Sequence, residues 1–286
     1  MKSNSRGVVL IARNNGNLDY VKQAVFLAKR IKKYLNLPTT VITDSKDYLV
    51  SKFDPDIFDK IISVEWQETR NNRAYFDGSL YHKVAPFKND MRDGVYYWSP
   101  YEETLLMDVD YIICNDLLLK CFDSSSDLML FKGSHDLCSY RDQIEFTRVS
   151  DYTIDFYWAT VVFFRKTEAN EVFFNLIRHI KDEWHHYRRI YQIGSSLFRN
   201  DFAFSIAIHM MNGYSKGEFA APLPGKHYYI TDRDVLEKLK DDEMTFLIEK
   251  KDYLGEYTLL KTKGLNVHVM NKFSLERNID KESVND

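Results

Sequence analysis

Apolar runs and amphipathic stripes alternate through the first third of the chain. Gly7-Val8-Val9-Leu10-Ile11-Ala12 carries no charged or amide side chain, as expected of a parallel strand buried on both faces. A polar loop, Arg13-Asn14-Asn15-Gly16-Asn17, follows. From Leu18 to Leu35 the pattern predicts an amphipathic helix. Val21, Ala24, Val25, Ala28, Ile31 and Leu35 fall on one stripe, with Lys22, Lys29, Arg30 and Lys33 largely outside it. Leu37-Pro38 closes that helix. Thr39–Thr43 and Lys60–Val64 then read as two more strands, so the opening predicts a right-handed βαβ unit.

Further along, residues 66–82 are polar and irregular, with Arg70 to Arg73 placed to cover a ligand, and Tyr81–Phe87 leads into a helix. Strands are expected at Leu105–Met107, Leu128–Phe131 and Tyr157–Thr167. A long helix is predicted from Glu168 to Arg189, burying Val172, Phe173, Leu176, Ile177 and Ile180. Another opens at Arg199, with Asn200 or Asp201 as N-cap. A charged helix is expected at Asp232–Asp242 and a strand at Leu265–Lys272, and residues past Phe273 should fray. No repeat or linker interrupts the series. It implies one α/β domain over residues 1–286, with a mainly parallel central sheet flanked by helices. Residues 1–116 form its first part, 117–275 its second and 276–286 a tail.

Composition adds exclusions. A chain of 286 residues with 44% hydrophobic and 28% charged content has the balance of a soluble globular protein. A formal charge of −3 supplies no global attraction for nucleic acid. Three cysteines, Cys114, Cys121 and Cys138, lack paired metal spacing and suit reduced core thiols. No run reaches membrane-spanning length, and a cytoplasmic, membrane-free protein is expected. Neither Gly-x-Gly-x-x-Gly nor a phosphate loop follows the first strand, so a bound nucleotide would depend on side chains and a metal.

The chemistry concentrates in Glu103-Thr104-Leu105-Leu106-Met107-Asp108-Val109-Asp110. In extended chain, positions i and i+2 share a face, so Asp108 and Asp110 should converge while Val109 turns inward. Two carboxylates that close repel unless a cation lies between them. Hard oxygen donors suit Mn²⁺ or Mg²⁺, ions that commonly hold diphosphates. Asp-x-Asp alone is common in solvated turns; here it closes an apolar strand.

That phrase, beginning at Ser99-Pro100-Tyr101, resembles the glycogenin/galactosyltransferase-like group of GT-A nucleotide-sugar glycosyltransferases. The resemblance implies a GT-A-like fold and transfer of a sugar from a nucleoside diphosphate, UDP being favoured, to a hydroxyl acceptor. It implies a metal held by Asp108, Asp110 and a C-terminal histidine, matched by His268 in Leu265-Asn266-Val267-His268-Val269-Met270-Asn271-Lys272. Lys83 and Lys272 would face the diphosphate. Arg13, Asn14 and Asp44, at the ends of the first two strands, are candidates for base and ribose contacts. Asp201, or Asp136, would be the acidic group near sugar or acceptor. Trp158-Ala159-Thr160 stands where the family writes Asn-Ala/Ser-Gly, which puts its usual sugar-hydroxyl contact in question. A metal-dependent nucleotidyltransferase or phosphohydrolase, or a non-catalytic nucleotide-binding module, would use the same aspartates.

The acceptor could be a glycan, a protein or hydroxymethylated phage-type DNA, the last through Arg188, Arg189 and Arg199. Cations at a helix C-terminus also answer the helix dipole. A DNA acceptor predicts salt-sensitive binding that Arg188→Ala with Arg189→Ala weakens; binding indifferent to salt and to both substitutions would end that reading.

Overall fold

A computed structural model describes residues 5–65, 71–138, 147–150, 153–250 and 255–283. The first part runs β1 (Arg6–Ile11), α1 (Tyr20–Tyr34), β2 (Thr39–Thr43), α2 (Lys46–Lys52), β3 (Lys60–Ser63), β4 (Asn72–Phe76), β5 (His82–Pro86), α3 (Val95–Trp98) and β6 (Glu103–Met107). The middle comprises β7 (Tyr111–Ile112), β8 (Leu128–Lys132), β9 (His135–Asp136), β10 (Tyr157–Arg165), α4 (Glu168–Asp182), α5 (Trp184–Ile190) and α6 (Asn200–Met211). The last part holds β11 (Ala221–Pro222), β12 (Tyr228–Ile230), β13 (Val235–Lys240), β14 (Glu243–Glu249), β15 (Tyr257–Lys263), β16 (Val267–Val269) and α7 (Lys272–Ser283).

Seven strands form the central sheet in the order β11-β8-β10-β6-β1-β2-β3. β3, β2, β1 and β6 are mutually parallel, as is β11 to β8; β10 alone runs antiparallel to both its neighbours. The architecture is mixed α/β, mainly parallel and flanked by helices. Apolar runs within the strands explain its centre: Val8, Leu10, Val41, Leu105 and Val161 to Phe164 are almost wholly buried. α1 begins at Asp19, whose carboxylate accepts from Lys22 N–H and caps it.

A second sheet has the order β7-β16-β12-β9, and a third is the antiparallel meander β13-β14-β15. α7 packs on that meander. Leu236 N–H donates to Ser274 Oγ and Leu239 N–H to Asn278 Oδ1, while Leu275 and Ile279 fill a separate core with Phe246 and Val269.

Several expectations change. Asp232–Asp242 is strand and turn rather than helix, because a register shift between Leu236 and Lys238 lets Leu236 and Leu239 both face inward. Their spacing mimics a helical stripe. The tail expected to fray continues as α7, held by Leu275 and Ile279. Part of the irregular 66–82 stretch is one arm of the β4–β5 hairpin, and Arg70 lies outside the described residues. The long helix breaks at Glu183, and α4 buries Phe174 where Val172 was expected; Val172 is exposed.

Phe174 meets Tyr96, Phe164, Phe173 and Phe204 at ring-centroid distances of 4.9–6.1 Å. Phe174→Ala should cost about 3–5 kcal/mol in urea unfolding, the range for emptying a buried aromatic site. Val172→Ala should stay within about 0.5 kcal/mol. Equal effects would refute the helix register.

Candidate functional site

β1, β2 and β6 are parallel, so their carboxyl ends share one edge, where open α/β sheets bind ligands. At that edge the chain leaves β6 in a tight turn, with Tyr111 N–H donating to Asp108 C=O. The turn, not an extended strand, brings the two aspartates together. Val109 is buried as expected.

β10 supplies the other wall. Its register with β8 slips between Trp158 and Val162, freeing the intervening backbone, as bulges beside ligand sites commonly do. Thr160 C=O accepts from Asp108 N–H at 2.8 Å, and Ala159 N–H donates to Asp201 Oδ1 at 2.9 Å. Asp201 therefore does not cap α6, whose N-cap is Arg199 and lacks a side-chain cap bond.

The C-terminal segment closes the site. β16 pairs with β7, setting His268 opposite Tyr111, and Val269 N–H donates to Asp110 C=O. Asp108, Asp110 and His268 each offer a donor atom, all within 4.8 Å of one another. Lys272 Nζ, at the start of α7, lies 2.6 Å from Asp110 Oδ2, and His268 Nε2 lies 3.4 Å from the same oxygen. Burial pushes the Asp110 carboxyl up, but Lys272 and His268 overcome it and hold the group well below the usual carboxylate range. The expected repulsion is answered by the protein's own cations.

Asp108 is bonded by Arg92, which sits in the turn before α3. Burial lowers the Arg92 guanidinium to about 10. Arg73 on β4 is lowered similarly, first by burial and then by Arg199. For Asp201, burial opposes ionisation, yet Arg199, the Ala159 N–H and Arg92 hold its carboxyl below the ordinary range. Asp201, Asn89, Asn200 and Trp158 line the same cavity of about 410 Å³ as the two aspartates, His268 and Lys272. Asn89 Oδ1 and Asn200 Oδ1 are buried there without a hydrogen-bond partner among the described residues.

The other predicted residues fall elsewhere. Arg13 and Asp44 form a buried ion pair at 3.3 Å. Arg13 also bonds Lys88 C=O and Met91 Sδ, so it braces the segment carrying Asn89 and Arg92 without lining the cavity. Asn14 Oδ1 accepts from Val21 N–H and its amide donates to Asp19, which ties it to the start of α1. Lys83 is exposed on β5, away from the cavity. Asp136, on β9, accepts from Cys138 N–H and does not line the cavity either. Arg73, the last residue of the Arg70–Arg73 run expected to cover a ligand, lines the cavity; Arg92 escaped sequence reasoning, since a lone arginine in an irregular stretch carries no periodic signal. Of the basic cluster, Arg199 is engaged by Asp201 at 2.8 Å, Arg188 donates to Gly194 C=O, and Arg189 is exposed. Among the described residues no helix is long and apolar enough to cross a membrane.

Two carboxylates and an imidazole form a donor set suited to a divalent cation, and their mutual approach meets that requirement. In comparisons, no family profile and no curated protein matches the chain. Among solved structures, the glycosyltransferase GlyE of Streptococcus pneumoniae TIGR4 is similar over 77% of this chain, with 12% identity and a TM-score of 0.41. The match covers 45% of that protein, so the chain accounts for less than half of its length.

The Asp110–Lys272 pair yields a direct test. Lys272→Met removes one partner of a buried pair and should destabilise by about 3–5 kcal/mol in chelator-containing buffer. Added Mn²⁺ should raise the variant's melting temperature more than the wild type's. An unchanged urea midpoint would show that Asp110 does not depend on Lys272.

Proposed function

We propose that the protein is a metal-dependent glycosyltransferase that moves a sugar from a nucleoside diphosphate, UDP favoured, to a hydroxyl acceptor. The observation carrying this reading is the convergence of Asp108, Asp110 and His268 at the carboxyl edge of parallel strands, beside Lys272 and Arg92.

Asp108, Asp110 and His268 would hold Mn²⁺ or Mg²⁺. When bound, that ion supplies positive charge at the diphosphate as the leaving group forms. Lys272 and Arg92, each now bonded to one aspartate, would offer the same protons to phosphate oxygens. Fixed donors aimed at developing charge lower the barrier because they need no reorganisation when the bond breaks. The sugar carbon loses its bond to the diphosphate oxygen, which keeps the electron pair, and gains one to the acceptor hydroxyl, which releases a proton. Asp201, ionised and lining the cavity, would face the sugar or that hydroxyl and would accept the released proton. The strands up to residue 116 would grip the nucleotide and residues 117–275 the acceptor.

Thermal unfolding with UDP, GDP, CDP and ADP, each with and without Mn²⁺, tests the reading. Ligand at about a hundred times its dissociation constant adds roughly 2.7 kcal/mol, several degrees for a chain of this size. One diphosphate should stabilise the wild type only with metal, and Asp110→Ala should lose the shift. That base then identifies the donors to screen for sugar transfer. A shift with triphosphates alone would favour nucleotidyl transfer instead, and no shift at all would remove the metal-bridged diphosphate site.

A further inference from the structure

A groove of about 1200 Å³ runs between α1, the β13–β15 meander and the last turns of α7. It shares no lining residue with the Asp108–Asp110 cavity, and it exceeds the roughly 300–1,000 Å³ of ordinary small-molecule pockets. Eight lysine and arginine side chains line it against three carboxylates, in a chain whose formal charge is −3.

Two of those carboxylates are engaged locally, Asp280 by Lys22 and Asp241 by Lys33. Lys29, Lys238, Lys240 and Lys261 form no ion pair among the described residues. The strand register makes the arrangement systematic. Lys238 lies opposite Thr245, and Thr245 opposite Lys261, so one cross-strand row carries two lysines with no acid between them. At the base, the buried Arg30 guanidinium donates, among the described residues, to three neutral acceptors: Ile113 C=O, Cys114 Sγ and Asp241 C=O. Buried charge without a bonded counter-charge is costly, and like charges in a concave wall focus a field that attracts anions.

The floor between these cations is apolar, built from Val25, Phe26, Leu239 and Ile279. That combination discriminates among anions. A nucleic-acid duplex presents phosphates on a convex cylinder with no apolar edge for the floor, and a bilayer surface is too flat to enter a groove. An amphipathic acidic segment brings both halves of the match, laying apolar side chains into a groove and charges along its rim. We propose that this groove binds an acidic, amphipathic peptide segment of a partner protein. The proposal stands apart from the transferase reading, since none of its residues belongs to that site.

The test uses the full chain and a labelled synthetic peptide with leucine at helical i, i+3, i+4 and i+7 spacing and glutamate elsewhere, followed by fluorescence anisotropy. Controls are the same peptide with serine for leucine, a duplex DNA and phosphatidylglycerol vesicles. The leucine peptide should bind, more weakly as salt rises, and the serine version should lose about tenfold in affinity. Lys238→Glu with Lys261→Glu should weaken binding by at least about tenfold, with the melting temperature as the check on folding. Lys29→Glu, on α1, repeats the test independently of the meander. Equal binding of both peptides, indifference to the reversals, or tight binding of DNA or vesicles without the leucine peptide would overturn the proposal.

Discussion

A buried carboxylate must be answered by positive charge or protonated, and Asp110 sets that requirement for the whole carboxyl edge. Its oxygen receives Lys272 and His268, residues more than 150 positions away. Those contacts, with the Val269-to-Asp110 backbone bond and the β16–β7 pairing, strap the C-terminal segment over the turn after β6. The second sheet, the start of α7 and the cavity wall thus share one anchor. The same groups line the cavity that holds the Asp108–Asp110–His268 donor set, so the contacts that complete the fold also shape that cavity.

Around that anchor the sheet departs from regularity where the site needs it. β10 slips past β8 beside the end of β6, and the freed backbone groups of Ala159 and Thr160 turn to Asp201 and Asp108. On the opposite side, the Arg13–Asp44 pair holds the segment before α3, presenting Asn89 and Arg92 to the cavity. Of the strand-end residues expected to contact a ligand, Arg13 and Asp44 brace this segment, while Asn14 ties to the start of α1. Two buried asparagine oxygens, those of Asn89 and Asn200, have no hydrogen-bond partner among the described residues.

Charge is also divided in space. The cavity at the sheet edge mixes carboxylates with guanidiniums in close pairs, whereas the groove beside α1 gathers eight lysine and arginine side chains against three carboxylates. A modest net charge conceals both arrangements.

Much of the architecture was legible from local pattern. β1, α1, β2 and β3 follow directly from short apolar or β-branched runs and a 3.6-residue stripe, signals that need no partner to be read. Asp108-Val109-Asp110 stood out because two acids close an apolar strand, and His268 and Lys272 through a resemblance carried by residue types. Patterns that depend on phase failed. The bulge in β13 moved Leu236 and Leu239 onto one face and mimicked a helix, while α4 chose Phe174 over Val172 because Phe164 and Phe204 offered it a ring-lined site. Asp201 is a reasonable cap by sequence, yet a backbone N–H on β10 claims it. The first βαβ unit and the acidic pair that closes β6 are properties of neighbouring residues, so local pattern was enough to place them. Which charges meet, which arginine reaches Asp108 and which lysine stays on the surface were decided only by the tertiary structure, because these depend on contacts between segments far apart in the chain.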